Sequence, residues 1–480
     1  MTRRTFCILL IAIAAMALSA CRGHTEPQAG DAIPAPGFVA IEGDHFIVDG
    51  EPWFPKMLNY KCFFAESDGT LAVVPAPWYT GDNMRAHFDT IAAWGFNAVR
   101  LCLDGDWRDG DTAAMRRATH RAVLQADSAG LRVMLLIHPP LDDFWTEYTE
   151  GLLRMLADLP ALWAYDFMNE PLYFDPAPRR DKRDAVAIVQ RWRRMVRCHA
   201  PHQLFTVATA EPIEVFEWDP SMLPVDFIEM HTYHPLRVQS EMWWYAHYGG
   251  KPWMVGETGL PADGDSVAYG AQLAFMFETY RYALALGACG YGWWEFQDCP
   301  DGVNFEAQYT GLRDSTGCAK PAATVLNTLC VGVGEYMPAL PVNYFNMLAY
   351  TNVAVTGRVV CRDGRPVEGA VVRGWNDDWS VGVNTYSDST GRFRLVSNDI
   401  CTHFEVSAPG CSNAKFDCRR QYPSDLQLPD RNREYQRIPL LGWGDSTSIL
   451  PCHGDPRYAA EGATVADMGD VRLENLLKTK

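Results

Sequence analysis

The sequence predicts an α/β fold, a (β/α)8 TIM barrel followed by a small β-sandwich, and three observations lead there. Between residues 54 and 332, short apolar runs rich in Val, Ile, Phe or Trp alternate with longer stretches carrying apolar residues at three-to-four spacing. The first apolar run leads into LNYKCFF rather than a Gly-rich phosphate turn, which sets aside an open, doubly wound sheet. Near residue 351 the helical periodicity stops, and short alternating strands separated by turn residues take over.

The elements follow in order. Arg3 and Arg4 precede an apolar stretch, residues 7–18, too short to span a bilayer, so residues 1–20 read as a signal peptide. Leu18-Ser19-Ala20-Cys21 resembles the lipobox of bacterial lipoproteins, which implies lipidation of Cys21. That implies an extracytoplasmic protein held to a membrane, a Gram-negative outer membrane by preference, through its N-terminal lipid only. Residues 21–37 are polar with Pro and Gly and read as a tether. Asp49-Gly50 between alternating segments predicts a hairpin that could close the bottom of a barrel. The barrel is assigned to 38–332. Its strand candidates are 54–60, 97–103, 132–138, 161–169, 204–210, 226–233, 253–257 and 290–296. Helical stretches are read at 82–94, 112–129, 144–159, 183–199 and 268–286. The basic run 182–194 reads as the solvated face of an outer helix, and 61–81 as a long loop shaping a cleft, as does 297–318. A linker, 333–351, leads to the β-sandwich at 352–475. There TGRVV, DGRPVEGAVV and TYSDSTGRFRL resemble the carboxypeptidase regulatory-like, or transthyretin-like, domain. ADMGDVRL is its expected closing strand, after an irregular insertion at 419–465.

Composition bounds the partners. Of 480 residues 48% are hydrophobic and 21% charged, a globular balance with sequence for a large core. The formal net charge of −17 argues against nucleic acid, because phosphate binding needs clustered Lys and Arg. The cysteines show neither CxxC pairs nor Cys/His clusters, and no metal or cofactor is implied. Cys411 and Cys418 could pair across a loop, whereas Cys102 and Cys289, inside apolar runs, read as buried thiols.

In a barrel the chemistry sits at the C-terminal ends of the strands. The fourth predicted strand ends in Asn169-Glu170-Pro171 and the seventh in Gly256-Glu257-Thr258-Gly259. Two carboxylates across one mouth suit glycosidic cleavage, in which one protonates the leaving oxygen and the other attacks the anomeric carbon. With glutamates on strands four and seven, the chain resembles glycoside hydrolase family 5, a clan A family. Six more positions match in order: Arg100 on the second strand, His138 at the end of the third, Asn169 before Glu170, His231 and Tyr233 as H-x-Y at the sixth, and Trp294 at the eighth. Trp293 adjoins Trp294, and the inward-pointing ring is the one that counts. The resemblance implies Glu170 as acid/base and Glu257 as nucleophile. It also implies Arg100 and Tyr233 on the nucleophile, Asn169 on the sugar 2-hydroxyl, and Trp294 as the floor of the sugar site.

These neighbours divide the labour: Arg100 and Tyr233 favour ionised Glu257, whose charge in turn favours a protonated Glu170. The expected carboxyl separation is roughly 5–5.5 Å, with retention of configuration. The implied substrate is an oligo- or polysaccharide, a β-linked glucan or mannan among the candidates. A transglycosylase with the same glutamates and a catalytically inactive carbohydrate-binding lipoprotein are the competing readings. His231, His234 and Asp226 could suggest a metal-dependent hydrolase, but that leaves both glutamates unexplained. His138 could equally be a core histidine, and Trp145, Trp243 and Trp244 could line outer subsites or simply pack.

Overall fold

The structure is a computed structural model and describes residues 32–477, apart from 68, 106–109, 178, 234, 236, 303–304, 329–352, 378–381, 398–399 and 418–463. The expected signal peptide and lipidated Cys21, most of the tether, the 333–351 linker, Cys418 and nearly all of the 419–465 insertion lie outside the described residues. No described helix is long and apolar enough to cross a membrane.

A three-stranded antiparallel sheet comes first, β1 (Val39–Glu42), β2 (His45–Val48) and β3 (Glu51–Trp53). Its β2–β3 turn is the predicted Asp49-Gly50, both at positive φ (52° and 85°), as a tight two-residue hairpin requires. Phe46 and Trp53 from this sheet pack edge-on to Trp163, which stacks on Phe227. With Met57, Ala98, Met134, Ala164, Leu204 and Met254 they form one buried cluster. This apolar plug fills the bottom of the barrel, as the sequence predicts.

The barrel strands are β4 (Lys56–Ser67), β6 (Ala98–Asp104), β7 (Arg132–Leu136), β8 (Leu162–Asn169), β9 (Leu204–Thr209), β10 (Ile228–His231), β11 (Trp253–Glu257) and β12 (Tyr291–Trp293). Neighbours pair in parallel, and Tyr291–Lys56, Gly292–Met57 and Trp293–Leu58 close the ring. The outer helices are α1 (Met84–Ala93), α2 (Thr112–Ser128), α3 (Asp143–Leu156), α4 (Pro171–Phe174), α5 (Lys182–His199), α6 (Val238–Tyr248) and α7 (Tyr269–Ala285). Asn83, Asp111, Asp142 and Asp181 cap four of them by accepting a first-turn N–H.

Three expectations need correction. The long loop 61–81 is largely a hairpin: β4 runs on to Ser67 and pairs antiparallel with β5 (Thr70–Pro75). β-Branched and aromatic residues (Phe63, Phe64, Val73, Val74) carry that pairing. Helix α6 went unread because it has no single apolar face: Met242 and Tyr245 are buried on the barrel side, and Trp244 donates to the Gly369 carbonyl of the following domain. The basic run 182–194 is not uniformly solvated. Lys182 is buried against Asp219, Ser407 and the Ala408 carbonyl, and Arg193 is buried beside Asp226.

The second domain has two sheets. One is β16 (Arg392–Ser397), β13 (Val353–Cys361) and β19 (Thr464–Leu473). The other is β15 (Gly382–Tyr386), β14 (Val371–Trp375), β17 (His403–Ser407) and β18 (Ala414–Asp417). Pairing is antiparallel except for β13 with β19, the predicted closing strand, which runs parallel. Val355, Val359, Val372, Leu395, Phe404 and Val406 form its separate core.

Candidate active site

Alternation along the barrel strands builds the site from below. Two residues above the plug residues Met57, Ala98, Ala164 and Phe227 stand Asn59, Arg100, Asp166 and Glu229, all completely buried. Arg100 is the hub. Its Nη2 lies 2.6 Å from Asp166 Oδ2 and donates to Asn169 Oδ1 at 2.8 Å. Its Nη1 donates to Asn59 Oδ1 at 3.0 Å and to Glu257 Oε1 at 2.5 Å, and its Nε lies 3.2 Å from Glu229 Oε1. Asn59 in turn donates to the carbonyls of Gly256 and Trp293, tying the first strand to the seventh and eighth. Gly256 makes room for this layer: a Cβ there would lie 2.2 Å from Glu229 Cγ.

Two irregularities then raise the upper residues to the mouth. Between Asp166 and Asn169 the β8–β9 register shifts, while Asp166 Oδ1 accepts the N–H groups of Met168 and Ala208. Glu170 follows at φ 38°, ψ 68°, a left-handed conformation that costs a non-glycine residue about 1–3 kcal/mol. It is held by its own N–H on the Ala208 carbonyl and by the Tyr173 and Phe174 N–H groups on its carbonyl. Pro171, lacking an N–H, begins α4, and buried Glu214 accepts the N–H groups of Leu172 and Ala210. A second shift, at Met230–His231, aligns His231 with Glu257.

Of the eight predicted positions, six form one contiguous network: Arg100, Asn169, Glu170, His231, Tyr233 and Glu257. Tyr233 donates to Glu257 Oε2, so both nucleophile-candidate oxygens are held, one by a guanidinium and one by a phenol. Burial and the adjacent carboxylates push the Tyr233 pKa up, which keeps it a donor. His231 Nδ1 lies 2.8 Å from Glu170 Oε1 and 3.5 Å from Glu257 Oε2, and its Nε2 lies 3.7 Å from Glu229 Oε1. Burial would lower its pKa, but Glu257, with Glu170 and Glu229, outweighs that and raises it to about 10. Burial also drives Asp166 up to about 7, against the pull of Arg100. Four carboxyl groups thus gather around the Arg100 guanidinium and the His231 imidazole.

Glu170, His231 and Glu257 present ligand atoms within 4.8 Å of one another, a spacing a metal ion could span. Arg100 and Tyr233 already occupy both Glu257 oxygens, however, and Nδ1 of His231 is engaged by Glu170, so these donors are committed to hydrogen bonds. Asp226, the other candidate ligand, lies at the opposite end of its strand, bound by Arg193, Arg197 and the Phe205 N–H. His234 lies outside the described residues.

The remaining two positions stand at the rim. Trp294 is half-buried, whereas Trp293 is fully buried with its Nε1 on the Thr310 carbonyl, so Trp294 is the ring that faces the mouth. Lys61 Nζ lies 5.7 Å from the Trp294 ring and 5.6 Å from that of Trp78. His138 is exposed and stacks face to face on Trp145, ring centroids 4.0 Å apart. Trp145 and Trp244 are buried packing residues and Trp243 stacks on His247, so these three serve structure. Cys102 and Cys289 are buried thiols as predicted, and burial pushes Cys102 up to about 12.

Sequence reading missed Asp166, Glu229, Glu295 and Lys61. Glu295, next to Trp294, accepts from Tyr79, and burial pushes it up to about 8. A signal existed for the first two: single acids inside otherwise apolar strands, on the same parity as Ala164 and Phe227.

Fold and topology together define a (β/α)8 barrel. Particular solved structures stand at a distance. A GH5_18 variant from Bifidobacterium longum subsp. longum, solved with Manb1-4GlcNAc, shares 16% identity at a TM-score of 0.43, over 59% of this chain and 78% of that one. A GH5_18 variant from Streptomyces cattleya, also with Manb1-4GlcNAc, shares 18% at 0.42, over 58% and 79%. A calcium-binding mutant of Bacteroides uniformis beta-glucuronidase 2 shares 13% at 0.45, over 80% of this chain but 46% of its own. No protein-family model and no curated protein matches the sequence.

Proposed function

We propose that the chain is a retaining O-glycoside hydrolase of β-linked glycans, with Glu257 as nucleophile and Glu170 as acid/base. The observation that carries this is the opposed pair itself: Glu257, fixed by Arg100 and Tyr233, and Glu170, set on its own strained turn, with ligand oxygens within 4.8 Å. Retaining enzymes hold the two carboxyl groups roughly 5–5.5 Å apart, whereas inverting enzymes hold them roughly 6.5–9.5 Å apart to admit a water.

In the first step a Glu257 oxygen bonds to the anomeric carbon as the glycosidic C–O bond breaks, and Glu170 gives its proton to the departing oxygen. In the second, Glu170 takes a proton from water, whose oxygen displaces Glu257 from the same carbon. His231, hydrogen-bonded to Glu170 through Nδ1, holds that side chain in place through both steps. Asn169 has its carbonyl oxygen taken by Arg100, which leaves its amide N–H₂ as donor toward a sugar hydroxyl. Trp294 supplies the apolar face beneath the ring, and His138 stands farther out on Trp145.

The leader and Cys21 support an extracytoplasmic, lipid-anchored location for this activity. The test is a panel of β-linked gluco- and manno-oligosaccharides with the wild type and Glu170→Gln, following product size and anomeric configuration. A retained β-product, lost or greatly slowed in the variant, is expected, whereas an inverted product overturns the mechanism. Turnover by the wild type of acceptor transfer over hydrolysis, in excess acceptor sugar, would favour the transglycosylase reading.

A further inference from the structure

The two most exposed large aromatic side chains among the described residues are adjacent, Tyr173 at 53% and Phe174 at 63%. They are the last two residues of α4, the turn that Glu170 begins, and both N–H groups bond to the Glu170 carbonyl. Their backbone is therefore fixed relative to the proton donor. Tyr173 is further pinned through its hydroxyl to Glu211 Oε2 at 2.8 Å, and Glu211 Oε1 faces Arg237 Nη2 at 3.6 Å. These residues come from the loops after β8, β9 and β10, the fourth to sixth barrel strands. The closed ring places that arc opposite β12, which Trp294 follows, and β4, which carries Lys61.

We propose that Tyr173 and Phe174 form the platform of a leaving-group subsite that takes a pyranose ring, with Glu211 and Arg237 as its polar rim. The inference rests on the glycosidase reading, which makes the portion of substrate next to Glu170 the departing one. A pyranose has an apolar face of C–H groups and a polar edge of hydroxyls. Two exposed aromatic rings beside a carboxylate and a guanidinium offer the matching surface. The substrate class is thereby narrowed to a glycan with a further sugar on the reducing side of the cleaved bond.

The experiment compares β-1,4-linked gluco- and manno-oligosaccharides with glycosyl fluorides of the same sugars, whose leaving group is a single atom. Binding energy from a leaving-group sugar is felt only by the first set. The Tyr173→Ala/Phe174→Ala double variant should lower the ratio of kcat/KM for oligosaccharide to that for fluoride about tenfold or more. It should also reduce transfer from the fluoride to an added acceptor sugar, since the acceptor would use the same platform. An unaltered ratio, with or without loss of overall rate, overturns the subsite. So does a change in solution mass at constant ratio, which would make the rings a contact between copies. A wild type that turns over neither set defeats the glycosidase reading itself.

Discussion

Arg100 and His231 are the two cations among Asp166, Glu170, Glu229 and Glu257, and the protonation of the site depends on that count. Glu229 makes no contact with the mouth, yet it faces both cations. Glu229→Gln removes a charge that holds the proton on His231, so the alkaline limb of the kcat/KM profile should move down by of order one pH unit, with KM little altered. An unmoved limb would separate Glu229 from the catalytic protons. The same groups set stability. His231 rises from an ordinary value near 6.5 to about 10, so its contribution is complete below the lower value and lost as pH climbs through the higher. Asp166 at about 7 and Glu295 at about 8 are carboxyls raised by burial, and ionising them on the way up destabilises the fold in the same direction. The melting temperature should therefore fall between pH 6 and 10, and fall less between 7 and 10 in His231→Gln. A melting temperature that rises across that range contradicts this charge arrangement.

Among the elements, the turn after β8 does the most positioning. Glu214 accepts the N–H groups of Leu172 and Ala210 and so joins the loops after the fourth and fifth strands. Glu214→Ala leaves the buried Ala210 N–H unpaired, at a cost of about 1–3 kcal/mol, and the half-buried Leu172 N–H with it. Urea denaturation should show that loss, together with a drop in kcat larger than any rise in KM, because the Glu170 turn is loosened. Loss of stability without any effect on kcat would place the turn outside catalysis. The same scale shows what could be read beforehand. The period of two in Phe227, Glu229 and His231 is visible in the sequence and places all three inside the barrel. Asp166, Asn169 and Glu170 defeat that parity, because a register shift inserts between them, and nothing in MNEP alone announces it. The hairpin beyond Tyr60 was missed because Lys61, Cys62 and Ser67 blur its alternation. Helix α6 was missed because it is covered on two sides.

At the scale of the whole chain, the β-sandwich and the barrel share an interface with buried polar anchors. Lys182, buried in that interface, reaches Asp219, Ser407 and the Ala408 carbonyl, and Asp219 also accepts the Gly410 N–H. Asn413 donates to the Phe216 carbonyl, in the short 3-10 turn Pro212–Phe216 that carries Glu214. The second domain thus braces the turn that braces Glu170. Lys182→Met strands Asp219 in the interface, and breaking such a buried pair typically costs about 3–5 kcal/mol. Calorimetry should show the two domains of the wild type melting in one transition and those of the variant separating or melting earlier. Independent melting in the wild type would refute the bracing.

The central claim is that Glu257 attacks the anomeric carbon. A 2-deoxy-2-fluoro glycosyl fluoride slows breakdown of the covalent intermediate more than its formation, so the labelled residue can be read by peptide mass spectrometry. Time-dependent inactivation with one glycosyl unit on the peptide containing Glu257, and no labelling of Glu257→Ala, is the expected result. Label on another carboxylate, or turnover with an inverted product and no label, would contradict the account.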